Sequence, residues 1–326
     1  MWKEKLGKLD RQISFSVMPS VEIHRRLGER DISAIVQLVK SAEAVDSHKA
    51  LEDHAWIDLV QGGRKGVLGL IAKTSRSEAI VGYAQISKGT CNSWAIEYVI
   101  HPKARSDSEI GRELLLSALD EISHQGGGHV HAWIAKPSPA ADELCKSVGM
   151  SRGRDIHQLR RALPIESELQ TEPISTRPFI IGQDEETWLR LNNDAFSWHP
   201  EQGDWDLATL QSREEQEWFD PEGFLLHEID GKLAAFCWTK VHSDTEPAIG
   251  EIYVVAVDPK LRGLHLGKSI CLAGLNHLAE NGIRTAMLYV ESTNATANRL
   301  YNQLGFALDH IDRAYVVDIA PYVERR

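Results

Sequence analysis

The sequence predicts an α/β protein in which two successive halves of the chain repeat one order of strands and helices. The chain has 326 residues, which is enough for two domains of ordinary size. Each half contains apolar runs of strand length, then a loop that leads into a helix, a further buried strand and a short second helix. A repeat of this length indicates a duplicated domain rather than a solenoid. We therefore expect each domain to hold a mixed, mostly antiparallel sheet flanked by helices.

In the first half, VLGLIAKTSRSEAIVGYAQIS predicts strands, and AIEYVIHPKARSDSEIGRELLLSALDEISHQGGG predicts a strand, a loop and a helix. HVHAWIAK and PSPAADELCKSVGM supply the next strand and the short helix. Residues 157–179 mix Pro, Ser, Thr and charge without periodicity, which is typical of a linker between two strands. The predicted boundaries are residues 1–162 for the first domain, 163–176 for the linker and 177–326 for the second domain.

In the second half, FLLHEIDGKLAAFCWTKV predicts a hairpin that turns at Asp230 and Gly231. GEIYVVAVDPKLRGLHLGKSICLAGLNHLAENG predicts a strand, a glycine-bearing loop and a helix that ends near Gly282. TAMLYVES is a buried strand by its apolar run, and RAYVVDI is the last strand.

Composition limits the kinds of function. A net charge of −11 argues against general binding of nucleic acids, which depends on Lys and Arg. The four cysteines have no paired spacing, so neither a disulfide framework nor a metal site is predicted. Because the chain shows no signal peptide and no membrane-spanning run, we expect a cytoplasmic protein that does not bind membranes. We also expect a monomer.

The segment VVAVDPKLRGLHLGK, residues 254–268, has the pattern of a phosphate-binding loop. A strand that runs through a glycine-bearing turn into a helix presents unpaired backbone N–H groups to an anion. Arg262 and Lys268 flank the turn and add positive charge, and Lys260 stands at its rim. Alone, such a loop is a weak signal.

A second motif, NATANRLYNQLGF at residues 294–306, strengthens the first. On a helix, Asn294, Ala297 and Tyr301 share one stripe. An ordinary amphipathic helix with Leu300 and Leu304 in the core and Gly305 as the residue that stops it would explain the segment taken alone.

Together the two motifs resemble the GNAT superfamily of N-acetyltransferases, whose loop has the form Q/R-x-x-G-x-G/A and binds the pyrophosphate of acetyl-CoA. Here His265 stands where that family usually has Gly. The resemblance implies two tandem GNAT-like domains, acetyl-CoA as co-substrate and no metal. It implies that cofactor contacts come from Val255, Ala256, Val257, Arg262, Gly263, Leu264, His265, Leu266, Gly267, Lys268, Asn294, Ala297 and Arg299.

The same resemblance assigns two catalytic roles. Tyr301 matches the general acid that protonates the departing CoA thiolate. Glu251, at the start of GEIYVVAV, matches the general base that takes a proton from the acceptor amine, since an amine is protonated near neutral pH. Without the resemblance, a solvated carboxylate at a strand edge would be the preferred interpretation of Glu251.

Three stretches extend the resemblance to the mycothiol synthases, a tandem-domain family within the superfamily: NNDAFSWHPEQGDWD, EWFDPEGFLL, and GEIYVVAVDP with LYVESTNATANRLYNQLGF. That family transfers acetyl to the cysteinyl amine of desacetylmycothiol. The resemblance places substrate contacts at Asp53, Glu201, Lys240, Glu251 and Tyr289.

Other functions stay open from the residues. An acetyltransferase for another small amine or an aminoglycoside would use the same motifs, protein Nα-acetylation is a third possibility, and a non-catalytic acetyl-CoA sensor is the alternative from another class. The first half has Asp107 and Glu109 at the loop position, Trp94 near the position of Glu251, and Cys145 where the second half has Tyr301. Carboxylates at a phosphate site repel a polyanion, so the first domain is expected to be degenerate and non-catalytic.

Overall fold

In a computed structural model, which describes residues 19–46, 48–74, 79–89, 92–197 and 203–324, the chain divides into two compact units. Unit 1 comprises residues 1–153 and 313–326, and unit 2 comprises residues 154–312. The strands are β1 Ser20–His24, β2 Val67–Lys73, β3 Ile80–Lys88, β4 Ser93–Ile100, β5 Gly128–Ala135, β6 Ser151–Ala162, β7 Arg177–Pro178, β8 Phe224–Ile229, β9 Lys232–His242, β10 Ile249–Val257, β11 Thr285–Glu291 and β12 Ala307–Ile319. The α-helices are α1 Glu29–Asp46, α2 Asp53–Val60, α3 Ser108–His124, α4 Pro139–Ser147, α5 Glu185–Ala195, α6 Leu207–Glu214, α7 Leu266–Glu280 and α8 Ala295–Gln303.

Both units contain the predicted mixed sheet. In unit 1, β1, β2, β3 and β4 pair antiparallel in sequence and β4 pairs parallel with β5. In unit 2, β7, β8, β9 and β10 repeat that order, and β10 pairs parallel with β11. The single parallel pair falls at the same place in each series, which confirms the α/β fold class with a duplicated plan.

The last strand of each half completes the sheet of the other unit. In unit 2, β6 pairs antiparallel with β11, and in unit 1 the C-terminal part of β12 lies beside β5. The domain boundaries predicted from the sequence separate the two repeats along the chain, and they stay a prediction. The compact units do not follow them, because a strand belongs spatially to the sheet with which it bonds.

The turn and helix-end predictions of the second half agree with the structure. Asp230 and Gly231 have φ of 50° and 71°, as a two-residue hairpin turn of type I′ requires. Helix α8 ends one residue before Leu304, and Gly305 follows at φ 78°, which is the left-handed conformation that favours glycine after a helix.

Helix α7 covers one face of the unit 2 sheet at very close range. The cluster beneath it includes Cys237, Ile252, Ile270, Leu275 and Leu288, all buried. A Cβ on Gly274 would lie 2.4 Å from the Cys237 Sγ atom and 3.1 Å from the Ile252 Cδ1 atom. The absent side chain therefore sets the distance between α7 and the sheet.

We expect Gly274→Ala to destabilise the protein by about 1–3 kcal/mol, because the added methyl group overpacks a filled interior. The measurement is the free energy of unfolding in urea. Cys237→Ala in the same chain should recover part of the loss by making room for the methyl group. A Gly274→Ala variant as stable as the parent would contradict this packing.

Candidate active site

Strand β10 leaves its neighbour β11 at the residue predicted to be the base. The two strands pair only at Gly250 with Ala286 and at Glu251 with Met287. Beyond Glu251, the edge of β10 that faces β11 has no ladder partner among the described residues. We call this opening the β10–β11 gap.

Backbone N–H groups of β10 point into this gap. The N–H of Asp258 donates to the Ala234 carbonyl of β9 at 2.8 Å. Because N–H directions alternate along a strand, those of Val255 and Val257 point to the gap, and that of Ala256 points to β9. An irregularity in the pairing with β9 between Ile252 and Val254 shifts the register just upstream. Two of the three predicted backbone donors thus face open space.

The loop after β10 leaves the N-terminus of α7 free for an anion. Gly263 has φ 90°, and His265, which precedes α7, has φ 59° and ψ 10°. A histidine can adopt this left-handed conformation at a cost of about 1–2 kcal/mol. Its side chain does not cap the helix. The N–H group of Lys268 donates to the His265 carbonyl at 3.2 Å, so those of Leu266 and Gly267 remain available to a phosphate.

The charged residues of the loop are also available. Lys260 and Arg262 are exposed and Lys268 is half-buried. Within the described part of the chain, none of the three forms an ion pair. Leu264 is exposed and Leu266 begins α7. Free cations beside a free helix N-terminus fit a pyrophosphate.

Gly267, in the first turn of α7, has room for a side chain within the protein. A Cβ there would meet the Leu300 Cδ2 atom at 3.6 Å and the Val257 Cγ2 atom at 3.9 Å, both ordinary contacts. Gly267→Ala should therefore fold as well as the parent, aided by the higher helix propensity of Ala. Because the loop pattern Q/R-x-x-G-x-G/A accepts Ala at this position, the Kd of Gly267→Ala for acetyl-CoA should also stay unchanged. The larger side chain of Gly267→Val should raise that Kd by about tenfold, because it occupies the approach to the helix N-terminus. Isothermal titration calorimetry and thermal melting test both variants. Unchanged affinity in Gly267→Val would remove Gly267 from the cofactor site.

Helix α8 follows β11, and its predicted cofactor residues have different surroundings. Asn294 is the N-cap: its side chain accepts a hydrogen bond from the Ala297 N–H at 3.1 Å. Arg299 is exposed and Ala297 is half-buried. Asn298 was not predicted from the sequence, and its Nδ2 donates to the Glu291 and Asn294 carbonyls at 2.9 Å each. These bonds hold the loop between β11 and α8.

Tyr301 lies in the apolar cluster below α7, against which Val255 and Val257 also pack. Burial raises the pKa of the Tyr301 phenol well above its usual value, with smaller contributions from Cys271 and Cys237. The phenol is therefore a neutral donor at neutral pH. Burial likewise raises the pKa of the Cys271 thiol to about 12. These thiols are protonated packing groups.

Glu251 is buried on the other face of the sheet. It is 7% exposed, and its Oε2 lies 2.7 Å from the His242 Nε2 atom. Lys240 stands opposite Glu251 in the register with β9. Its ammonium group, however, lies over the Trp218 ring, 4.6 Å from the centroid. The predicted base is thus a buried carboxylate with a hydrogen-bond partner rather than a solvated one.

The same face continues across β11 and β6 as a row of polar side chains, and we call it the polar face. Tyr289 is 45% exposed, and its hydroxyl accepts a hydrogen bond from the Gln158 Nε2 at 2.6 Å. Arg160 donates from Nε to the Gln158 Oε1 at 2.8 Å and lies 3.5 Å from the Asp309 carboxylate. Tyr289 was predicted from the sequence, whereas Gln158 and Arg160, which come from β6 of the first half, were not.

The side chains of two predicted substrate residues lie outside the described part of the structure. Glu201 lies outside the described residues. Asp53 begins α2, and its side chain is also outside the described part of the structure.

In unit 1, the helix N-terminus at the counterpart of the cofactor loop is already capped by a side chain. The Asp107 carboxylate caps α3 and accepts the Glu109 N–H at 3.1 Å. Cys145, at the position of Tyr301, is fully buried, and burial raises its pKa to about 12. The side chain of Trp94, near the position of Glu251, packs in the core against α3. A carboxylate therefore occupies the helix N-terminus that a phosphate would need.

Among the described residues, no group of three or more His, Cys, Asp and Glu side chains could hold a metal ion. In the described ranges, no helix is both long enough and apolar enough to cross a membrane.

Comparison with solved structures shows the fold. A GCN5-related N-acetyltransferase from Sphaerobacter thermophilus aligns with a TM-score of 0.70 at 20% identity, over 94% of this chain and 98% of the other. A tandem GNAT protein from the clavulanic acid biosynthesis pathway aligns with a TM-score of 0.68 at 14% identity, over 93% of this chain and 100% of the other. The tandem organisation is therefore shared with known structures.

Comparison of sequences shows the family. The acetyltransferase (GNAT) family model matches residues 186–306. The mycothiol acetyltransferase of Acidimicrobium ferrooxidans is 41% identical over 288 residues, covering 87% of this chain and 93% of the relative. That of Thermobispora bispora is 39% identical over 300 residues, covering 90% and 98%. The chain belongs to the mycothiol acetyltransferase family of GNAT N-acetyltransferases.

Proposed function

We propose that this chain transfers the acetyl group of acetyl-CoA to the cysteinyl amine of desacetylmycothiol, giving mycothiol and CoA. Family membership supports this substrate, and the observation that carries the chemistry is the buried Glu251 at the mouth of the β10–β11 gap. This position supports a role as the base, because an acceptor on that face of the sheet would approach a thioester held in the gap past Glu251.

Acetyl-CoA supplies the activated acetyl group. The N–H groups of Val255 and Val257 point into the gap and would hold the developing oxyanion through fixed dipoles. The side chains of Arg262 and Lys268 and the N–H groups of Leu266 and Gly267 would bind the pyrophosphate. Gly263 and Gly267 leave space for it.

Glu251 would accept the proton that the acceptor ammonium must lose before its nitrogen attacks the carbonyl carbon. The C–N bond would form first, at the carbonyl carbon, and the C–S bond would then break as the neutral phenol of Tyr301 gives its proton to the departing sulfur. The nitrogen loses a second proton as the amide forms, which restores the phenol, and Glu251 releases the first proton to solvent. Lys240, Tyr289, Gln158 and Arg160 offer directional donors and acceptors to the hydroxyl groups of the sugar and inositol. We further propose that the first half of the chain is non-catalytic, because Asp107 already occupies its helix N-terminus.

The proposed function is tested with purified protein, acetyl-CoA and a panel of desacetylmycothiol, aminoglycosides and peptides. The acceptor itself carries a thiol, so CoA and the acetylated product should be separated by liquid chromatography and identified by mass spectrometry rather than by a thiol reagent. We expect kcat/KM to be highest for desacetylmycothiol, with acetyl on nitrogen. A higher kcat/KM for an aminoglycoside or a peptide would overturn the assigned acceptor, and binding of acetyl-CoA without turnover of any amine would favour a sensor.

A further inference from the structure

His242 is the only side-chain partner of the Glu251 carboxylate among the described residues. It ends β9 two positions after Lys240, so its side chain lies on the same face of the sheet as those of Lys240 and Glu251. The Nε2 and Oε2 atoms are 2.7 Å apart. The side chain of His242 is 19% exposed and that of Glu251 is 9% exposed.

A buried carboxylate needs such a partner. Taking a charged oxygen out of water costs several kcal/mol unless a donor replaces the lost hydrogen bonds. Lys240 faces Glu251 in the register, but its ammonium group lies over the rings of Trp218 and Tyr253, 4.6 and 5.7 Å from their centroids. The imidazole is therefore the group that compensates the burial of the carboxylate.

The hydrogen bond to His242 also fixes the orientation of the Glu251 carboxylate. A carboxylate bound through Oε2 cannot rotate freely, and no described residue forms a hydrogen bond with its Oε1, which can therefore accept a proton. Catalytic groups act efficiently only when they are held in the productive orientation. An imidazole that donates from Nε2 thus leaves one oxygen of Glu251 for the acceptor amine or an intervening water.

We propose that His242 is a positioning residue, which donates a hydrogen bond to Glu251 and holds its free oxygen toward the acceptor. This inference rests on the proposed function, in which Glu251 is the base. The proton removed from the amine goes to Oε1 of Glu251, and the bond between His242 and Oε2 persists through the step.

Removal of the donor tests the proposal. His242→Leu should lower kcat by about tenfold to a hundredfold, the range expected for loss of a hydrogen bond to a charged group. The Kd for acetyl-CoA should stay unchanged. His242→Gln, whose amide nitrogen reaches the position of Nε2, should recover most of the rate. His242→Ala serves as a second donor-free variant if the leucine does not fold.

The double variant Glu251→Gln with His242→Leu separates positioning from general stability. If His242 acts through Glu251, the double variant should turn over at the rate of Glu251→Gln alone, because coupled residues are not additive. Multiplied losses, or a His242→Gln variant as slow as His242→Leu, would overturn the proposal. If Glu251→Gln is slow but both donor-free variants have the parent rate, the positioning role of His242 is wrong and Glu251 keeps its assigned role as the base. If Glu251→Gln has the parent rate, Glu251 is not the base, and the positioning role of His242 is then also wrong.

Discussion

Glu251→Gln is expected to lower kcat at neutral pH by about a hundredfold or more, the usual contribution of a general base. The amide keeps the volume of the buried side chain, and its oxygen can still accept the His242 bond, so the fold should be retained. The amide cannot take the proton of the acceptor ammonium. Acetyl-CoA binding should be unchanged, because the Glu251 side chain lies on the face of the sheet opposite α7, whereas the proposed pyrophosphate contacts come from Arg262, Lys268 and the N-terminus of α7. Steady-state turnover and calorimetric titration of acetyl-CoA measure the two effects.

The matched control is Glu280→Gln, the same change at an exposed residue that ends α7. It should have the parent kcat. Parent turnover in Glu251→Gln would show that the amine loses its proton elsewhere. Weakened acetyl-CoA binding in that variant would instead mean that Glu251 supports the cofactor loop.

Tyr301→Phe should lower kcat by about a hundredfold, at the low end of the range for general acids. The ring is buried in the cluster with Phe306, 5.9 Å away between centroids, and Phe fills the same space. Stability should therefore change little, and the loss should fall on departure of the thiolate. Rapid-quench single-turnover kinetics test this step.

The pKa of Tyr301 gives this prediction a pH dependence. Burial raises the pKa of the phenol well above its usual value near 10. A general acid acts in its protonated form, which is retained below the raised pKa. Turnover should thus show no decline from Tyr301 ionisation up to about pH 10. Tyr98→Phe, a change at a phenol packed in the unit 1 core, is the control. A parent rate in Tyr301→Phe would mean that the thiolate leaves without a proton from this residue.

Local signals predicted much of the second half correctly. Asp230 and Gly231 specify a two-residue turn, and Gly282 and Gly305 specify helix ends, because each needs a conformation set by its own residue type. The loop of residues 262–268 was predicted as an anion site for the same reason, since glycines and cations directly before a helix favour such a site through their residue types alone. The side-chain roles within that loop and at Tyr301 stay predictions.

Several parts of the site were not readable from residue types. His242 and Gln158 are ordinary strand residues in the sequence. Their positions on the polar face follow only from strand pairing, of β9 with β10 for His242 near Glu251 and of β6 with β11 for Gln158 opposite Tyr289. A hydrogen bond between strands depends on pairing, which no single strand encodes. His242 could have been suspected from its spacing of two from Lys240, which puts both side chains on one face. The direction of the Val255 and Val257 N–H groups is a backbone property that any residue type would allow.

The duplicated order of elements, the turns, the helix ends and the resemblance that leads to acetyl transfer could all be read from the amino acids, because they follow from periodicity and from residues with special backbone preferences. The sheet that each terminal strand joins could not. A strand such as β6 or the end of β12 carries backbone hydrogen-bonding groups that fit any open sheet edge. Its partner is chosen by packing over the whole chain, and here β6 bonds to β11 of the second half, bringing Gln158 and Arg160 to the polar face.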